Sequence, residues 1–106
     1  MQVRVDRDLR VVLDDPGDFG RFRLAVDADP GAFDQVRQAL REIAELEGPE
    51  IAWVSEAWLR NHAPASRPDL WNEGFAKMLA YASKHGWTRG NPVMVRAHVV
   101  WLGQKE

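Results

Sequence analysis

The sequence predicts an α+β fold, a two-layer sandwich of about four strands with two helices packed on one face. Four segments alternate apolar and polar residues with the period of a strand, and two segments repeat their apolar residues at helical spacing. The predicted order is strand, strand, helix, strand, helix, strand. Two right-handed crossovers in one sheet place both helices on the same side. A ferredoxin-like arrangement is the alternative if residues 2–5 form an extra strand or the first hairpin pairs differently.

The length and composition are those of a single α/β domain covering residues 1–106. Hydrophobic residues make up 45% and charged residues 28% of the chain, which suits one globular core. The formal net charge of −2 gives no general attraction to nucleic acid, so nucleic acid is not an expected partner. No segment has the pattern of a signal peptide or a membrane span, which predicts a cytoplasmic protein without membrane contact.

The first two predicted strands are "LRVVLD" at 9–14 and "RFRLAVDA" at 21–28. The intervening "DPGDFG" contains one proline and two glycines, which is typical of a turn. The two strands are therefore predicted to form a hairpin.

The first helix is predicted within segment 27–50. Asp29 suits the N-cap, Pro30 the first turn, and Gly48 with Pro49 the end of the helix.

The second helix follows the linker "NHAPASRPD". Ser66 and Asp69 have the spacing of a capping box, and Pro68 suits the first turn. Gly86 is predicted to cap its C-terminus. Trp87, directly after this glycine, is expected to fold back on the last turn.

Segments 50–60 and 91–103 are the two longest predicted strands, and they define two faces of the sheet. The face expected to lie under the helices carries Phe22, Leu24, Val26, Ile51, Trp53, Val93, Val95, Val99 and Trp101. The opposite face carries Val12, Arg23, Ala25, Val54, Glu56, Trp58, Met94, Arg96, His98 and Val100. No predicted element covers this second face, although it is too apolar for a fully solvated sheet.

Glu56, Arg96 and His98 are the candidate catalytic cluster. If the third and last strands are neighbours, Glu56 can orient His98 as a general base or pair with Arg96. The guanidinium of Arg96 can hold a carboxylate or phosphate, which makes a small anionic ligand possible. The structural interpretation of the same residues is an ion pair across two strands beside a partly buried histidine.

The uncovered face is also a candidate interface. Tryptophan and arginine are enriched in interfaces, and large exposed apolar patches are typical of binding surfaces. We therefore expect a homo-oligomer or a protein partner, with a homodimer packed through this sheet. The residues predicted to line the interface or a ligand site are Arg23, Trp58, Met94, Arg96 and Val100. Asn61 and His62 are candidate pocket residues in the longest loop.

Cysteine is absent, and the spacing of the three histidines matches no metal-site pattern. No phosphate loop, nucleophile elbow or zinc-protease motif is present in the sequence. We therefore expect neither metal nor cofactor. The predicted function is that of a small non-catalytic interaction or subunit domain. The alternative is a metal-independent enzyme of the lyase, isomerase or oxygenase type that uses Glu56, Arg96 and His98.

Overall fold

The computed structural model describes residues 1–64, 66–90 and 93–103. Within these residues, seven strands form one mixed sheet in the order β2-β1-β3-β7-β5-β4, and β6 pairs with β7. The strands are β1 (Gln2–Val5), β2 (Val11–Asp14), β3 (Arg23–Val26), β4 (Ala44–Leu46), β5 (Ile51–Ser55), β6 (Thr88–Arg89) and β7 (Met94–Trp101). The helices are α1 (Phe33–Leu40), which a 3-10 turn at Pro30–Ala32 precedes, α2 (Glu56–Asn61) and α3 (Pro68–Lys84).

The predicted two-layer sandwich is wrong, and so is the ferredoxin-like alternative. The sheet is longer than about four strands and curls into a half-barrel, and the described residues form three α-helices instead of two. The additional strands β1, β4 and β6 have two to four residues each. Segments this short carry almost no periodicity of their own, so pairing with longer neighbours decides their conformation. Residues 91 and 92 of the last predicted strand lie outside the described residues.

The hairpin near the N-terminus joins β1 to β2, not β2 to β3 as predicted. β1 pairs antiparallel with β2 and parallel with β3, which places β2 at one edge of the sheet. The carboxylate of Asp6 accepts hydrogen bonds from the backbone N–H groups of Asp8 and Arg10, at 2.8 and 2.9 Å. These bonds fix the tight turn between β1 and β2 and thereby the pairing partner of β2.

The first predicted helix is too long, because α1 ends at Leu40 and residues 44–46 form β4. Ala44 and Leu46 are buried on either side of the exposed Glu45, which is the alternation of a strand. β4 pairs antiparallel with β5, so the backbone groups of this segment find partners without a helix. Tertiary pairing therefore overrides the helical pattern that continues through this segment.

The predicted strand 50–60 is also too long. β5 ends at Ser55, whose hydroxyl caps α2 by accepting a hydrogen bond from the backbone N–H of Trp58 at 3.2 Å. The second predicted helix corresponds to α3, but the capping box is wrong, since Arg67 is the N-cap residue and makes no side-chain cap bond. The C-terminal prediction is confirmed: Gly86 has φ +75°, and the N–H of Trp87 folds back to the carbonyl of Ala82 at 2.8 Å.

The core lies between one face of the sheet, here called the inner face, and the helices. Val3, Val5, Leu24, Val26, Ala52, Val54, Val95, Ala97 and Val99 form the inner face, and each is nearly or fully buried. Val36 and Leu40 of α1, Leu59 of α2, and Trp71 and Phe75 of α3 belong to the same buried cluster. No helix among the described residues is long and apolar enough to cross a membrane.

Candidate functional site

The opposite side of the sheet, here called the outer face, carries the basic residues singled out from the sequence. Arg23 of β3 and Ile51 of β5 are the direct strand partners of His98. Arg96, two residues before His98 on β7, lies opposite Trp53 of β5. Directly paired residues point to the same side of a sheet, so these five side chains share the outer face.

The other outer-face predictions divide into two groups. Met94 and Val100 lie on β7 in phase with Arg96 and His98, as the alternation predicts. On β5 the predicted phase is wrong: Val54 is fully buried on the inner face. Ile51 and Trp53, predicted to face the core, lie on the outer face instead. The buried small residue Ala52 occupies the inner position between them.

Glu56 and Trp58 do not share a strand face with His98, because both lie in α2. The Glu56 carboxylate pairs with Arg60 one helical turn later, at 2.9 Å. The Trp58 ring stacks on His62 with 4.1 Å between ring centroids. The predicted catalytic pair of Glu56 and His98 therefore lacks the geometry on which it was based.

The loop candidates Asn61 and His62 lie where α2 ends. Asn61 is the last helical residue and His62 is its C-cap. The Nδ1 atom of His62 lies 2.8 Å from the carbonyl oxygen of Trp58, which ties the imidazole to the helix that precedes it. Neither residue lines the outer-face cleft described below.

Two of the outer-face arginines have acidic partners. Arg4 Nε donates to Asp14 Oδ2 at 2.6 Å, and this hydrogen bond lowers the pKa of the Asp14 carboxyl. Arg89 of β6 pairs with Glu45 of β4 at 2.8 Å. The Arg89 guanidinium also lies 4.2 Å from the centre of the Trp53 ring, so it stacks over that indole while it holds Glu45. These pairs neutralise both sides of the outer face.

Arg23 and Arg96 lie between these pairs, and neither forms an ion pair with any described residue. Arg23 Nε donates to the side-chain carbonyl of Gln2 at 2.7 Å, and Gln2 in turn donates to Asp14 at 3.2 Å. The chain of hydrogen bonds orients the Arg23 guanidinium without neutralising it. The centre of the outer face is therefore basic, although the whole chain carries a formal net charge of −2.

One edge of β7 has a break in its pairing beside these residues. β3 pairs with β7 from His98 onward, whereas β6 pairs only with Met94 and Val95. Between the two strands, Arg96 donates its backbone N–H to the carbonyl of Trp87 at 2.7 Å. We call this break, at residues 96–97, the notch.

A cleft of about 400 Å³ lies at the notch. Its apolar walls come from the loop before β3, from the C-terminal half of α3 with Trp87, and from β5. Arg96 and His98 are the charged or ionisable residues of β7 in its lining, and none of the described residues that line the cleft is acidic. The cleft thus combines an apolar interior with a basic end, a typical composition for a small-molecule site.

The aromatic side of the cleft is held in place by local contacts. Phe19 lies 5.9 Å from Trp71 between ring centroids, and a Cβ atom added at Gly74 would approach its ring to 2.4 Å. The absence of a side chain at Gly74 thus admits the Phe19 ring against α3. On the far side, Tyr81 and Trp87 flank His85, whose ring centroid lies 4.4 and 4.8 Å from theirs.

The sequence analysis missed the aromatic half of this site. Tyr81 lies outside the apolar stripe of α3, Phe19 lies in a segment interpreted only as a turn, and Phe22 was assigned to the sheet face under the helices. Tyr81 could have been found from its position. An aromatic residue outside the apolar stripe of a helix is expected to be exposed, and a large ring that faces solvent is typical of a binding surface. Tyr81 is indeed 60% exposed and Trp87 37% exposed.

The comparisons with known proteins add no relative: no protein-family model, curated protein or solved structure matches this chain. Among the described residues, no three acidic or histidine side chains cluster as a metal ion would require.

Proposed function

We propose that this protein is a non-catalytic binding domain whose outer face recognises an anionic group. One observation carries the proposal: Arg23, Arg96 and His98 occupy adjacent positions, and the described residues supply no ion pair to either arginine. A guanidinium group binds carboxylates and phosphates through charge-assisted hydrogen bonds. Because basic groups held close together repel one another, a bound anion is favoured at this position.

The alternative function, that of an enzyme, depended on a carboxylate beside His98. A general base of this type needs a carboxylate that orients the imidazole, and the candidate, Glu56, binds Arg60 in α2. A cleft with apolar walls and a basic end can bind a ligand even without such a carboxylate.

The homodimer predicted from the sequence is the second candidate. Met94 and Val100 support it, because half-buried apolar side chains on a sheet face favour association. A two-fold axis through the centre of the outer face would, however, bring Arg23 and Arg96 of both copies together. An anionic ligand or partner avoids this repulsion, so we place it first.

The experiment is a titration of ¹⁵N-labelled protein with sodium acetate and sodium sulfate, each compared with sodium chloride at equal ionic strength. We expect acetate and sulfate to shift the amide signals around Arg23, Arg96 and His98 beyond the effect of chloride. Arg96→Gln should remove these shifts. Arg37→Gln, which changes an exposed arginine on α1, should leave them unchanged.

Light scattering on the same samples tests the second candidate. A concentration-dependent dimer that Met94→Asp dissociates, together with acetate shifts no larger than those of chloride, would replace anion binding by self-association. Equal shifts at every arginine of the chain would also overturn the proposal, because they would indicate general ion screening.

A further inference from the structure

We infer that the cleft at the notch binds a planar aromatic acid, with its ring between the aromatic walls and its acidic group at Arg96 and His98. This inference rests on the proposed function, because Arg96 and His98 belong to both. It adds the chemical class of the ligand, which the basic outer face alone does not define.

The charge in the cleft is concentrated at one end, at Arg96 and His98. Arg96 and His98 are separated by about 7 Å along β7, since a strand rises roughly 3.4 Å per residue and both side chains leave the same face. One acidic group can therefore contact both side chains. Within residues 1–64, 66–90 and 93–103, the lining contains no carboxylate that would compete for them or repel a ligand acid.

The walls of the cleft carry aromatic rings on two sides. Phe19 and Phe22 come from the loop before β3, and Tyr81 and Trp87 come from the end of α3 and the residues after it. Aromatic rings on two sides favour a flat apolar ligand, because it can stack on one ring and meet the edge of another. The volume of about 400 Å³ is in the range of small-molecule sites.

The rim of the cleft is held in place by backbone hydrogen bonds and ring stacking. The backbone of Trp87 is held on both sides: its N–H donates to Ala82 at 2.8 Å, and its carbonyl accepts from Arg96 at 2.7 Å. The His85 and Trp87 rings stack with an interplanar angle of 22°. An exposed indole that is fixed in this way presents a ready stacking surface, and little conformational entropy is lost when a ligand binds.

The hydrogen bond between Arg96 and Trp87 also joins the basic half of the site to its aromatic half. Because the Trp87 carbonyl accepts from the backbone N–H of Arg96, the stacking indole and the guanidinium belong to residues that hydrogen-bond directly. Because this backbone hydrogen bond makes the two residues neighbours, a ligand whose acid is attached directly to its ring system suits them better than a ligand with a long linker.

The test uses isothermal titration calorimetry with three probes: 2-naphthoate, its neutral analogue 2-naphthalenemethanol, and the non-aromatic acid cyclohexanecarboxylate. We expect 2-naphthoate to bind most tightly, with both other probes weaker by about tenfold or more. Arg96→Gln should weaken 2-naphthoate about tenfold and leave the neutral probe unchanged. Tyr81→Leu should weaken both naphthalene probes, and it leaves the buried core unchanged because Tyr81 is exposed.

Leu70→Ser is the matched control for Tyr81→Leu, since Leu70 is also exposed on α3, at 58%, and lies outside the cleft. It should bind 2-naphthoate like the unaltered protein. If cyclohexanecarboxylate binds as tightly as 2-naphthoate and Arg96→Gln weakens both, the anion site stands and the aromatic assignment falls. If the neutral probe equals 2-naphthoate, or no probe binds at millimolar concentration, the inference is overturned; failure of acetate and sulfate in the NMR titration would then remove the proposed function as well.

Discussion

The inner and outer faces of the sheet have opposite compositions although the same strands form both. On β7, Val95, Ala97 and Val99 are buried, whereas Arg96 and His98, which alternate with them, are exposed. The inner face packs against helices and stabilises the fold through the burial of apolar area. The basic groups at the centre of the outer face have no acidic partners among the described residues. They therefore add little to the stability of the fold. This division separates the residues that hold the fold from the residues that can bind a ligand.

The largest loss of stability is expected from a substitution on the inner side of the sheet. Phe75 is fully buried in the core cluster and stacks on Trp71 with 4.7 Å between ring centroids. Phe75→Ala should lower the free energy of unfolding by about 3 to 5 kcal/mol, because it leaves a cavity in packed surroundings. Urea denaturation followed by circular dichroism measures the change. A loss below about 1 kcal/mol would mean that α3 contributes little to the core.

Removal of Trp53, a larger aromatic residue on the outer face, is expected to have a smaller effect on the free energy of unfolding. Trp53 is only partly buried beneath Arg89, and its indole N–H is buried without a hydrogen-bond partner in the described part of the chain. Trp53→Ala should lower the free energy of unfolding by about 1 to 2 kcal/mol, because less area is lost and an unsatisfied donor is removed. The same denaturation experiment applies, and a loss equal to that of Phe75→Ala would contradict the division between the faces.

The smallest expected effect concerns pH. The hydrogen bond from Arg4 holds the pKa of Asp14 below its unfolded value, so this carboxylate stabilises the fold above the unfolded pKa. That stabilisation is lost as the pH falls through the folded pKa. Asp14→Asn should therefore flatten the decline of the melting temperature between about pH 5 and pH 2. Asp8→Asn, in the exposed turn after β1, is the control and should keep the slope of the unaltered protein.

The difference between β7 and β5 explains which parts of the site could be predicted. β7 has eight residues and pairs with other strands on both edges, so its alternation reports its two faces directly. The grouping of Arg23, Arg96 and His98 on one face followed from that pattern. The side of β5 that faces the core was harder to predict, because both phases of segment 50–60 contain an aromatic residue, Trp53 in one and Trp58 in the other. The small residue Ala52 faces the core, and a pattern that weights large apolar residues selects the other phase.

No single segment of the sequence carries a pattern that predicts the cleft. Its walls come from the loop before β3, the end of α3 and the middle of β7, which are far apart in the chain. The notch exists because β3 and β6 pair with different parts of one strand edge. Strand pairing of this kind depends on the whole sheet, so local periodicity cannot locate it.

Local patterns in the sequence were enough to predict that the chain combines helices and strands, that the last strand alternates between two faces, that α3 stops before Gly86, and that Arg96 and His98 share one face. These features depend on local spacing and on backbone preferences that each segment carries alone. The tertiary structure decided the number of strands, the partner of β2, the phase of β5 and the position of α2. Each of these depends on which distant segment satisfies the backbone hydrogen bonds and covers the apolar side chains, and many pairings satisfy the same local pattern.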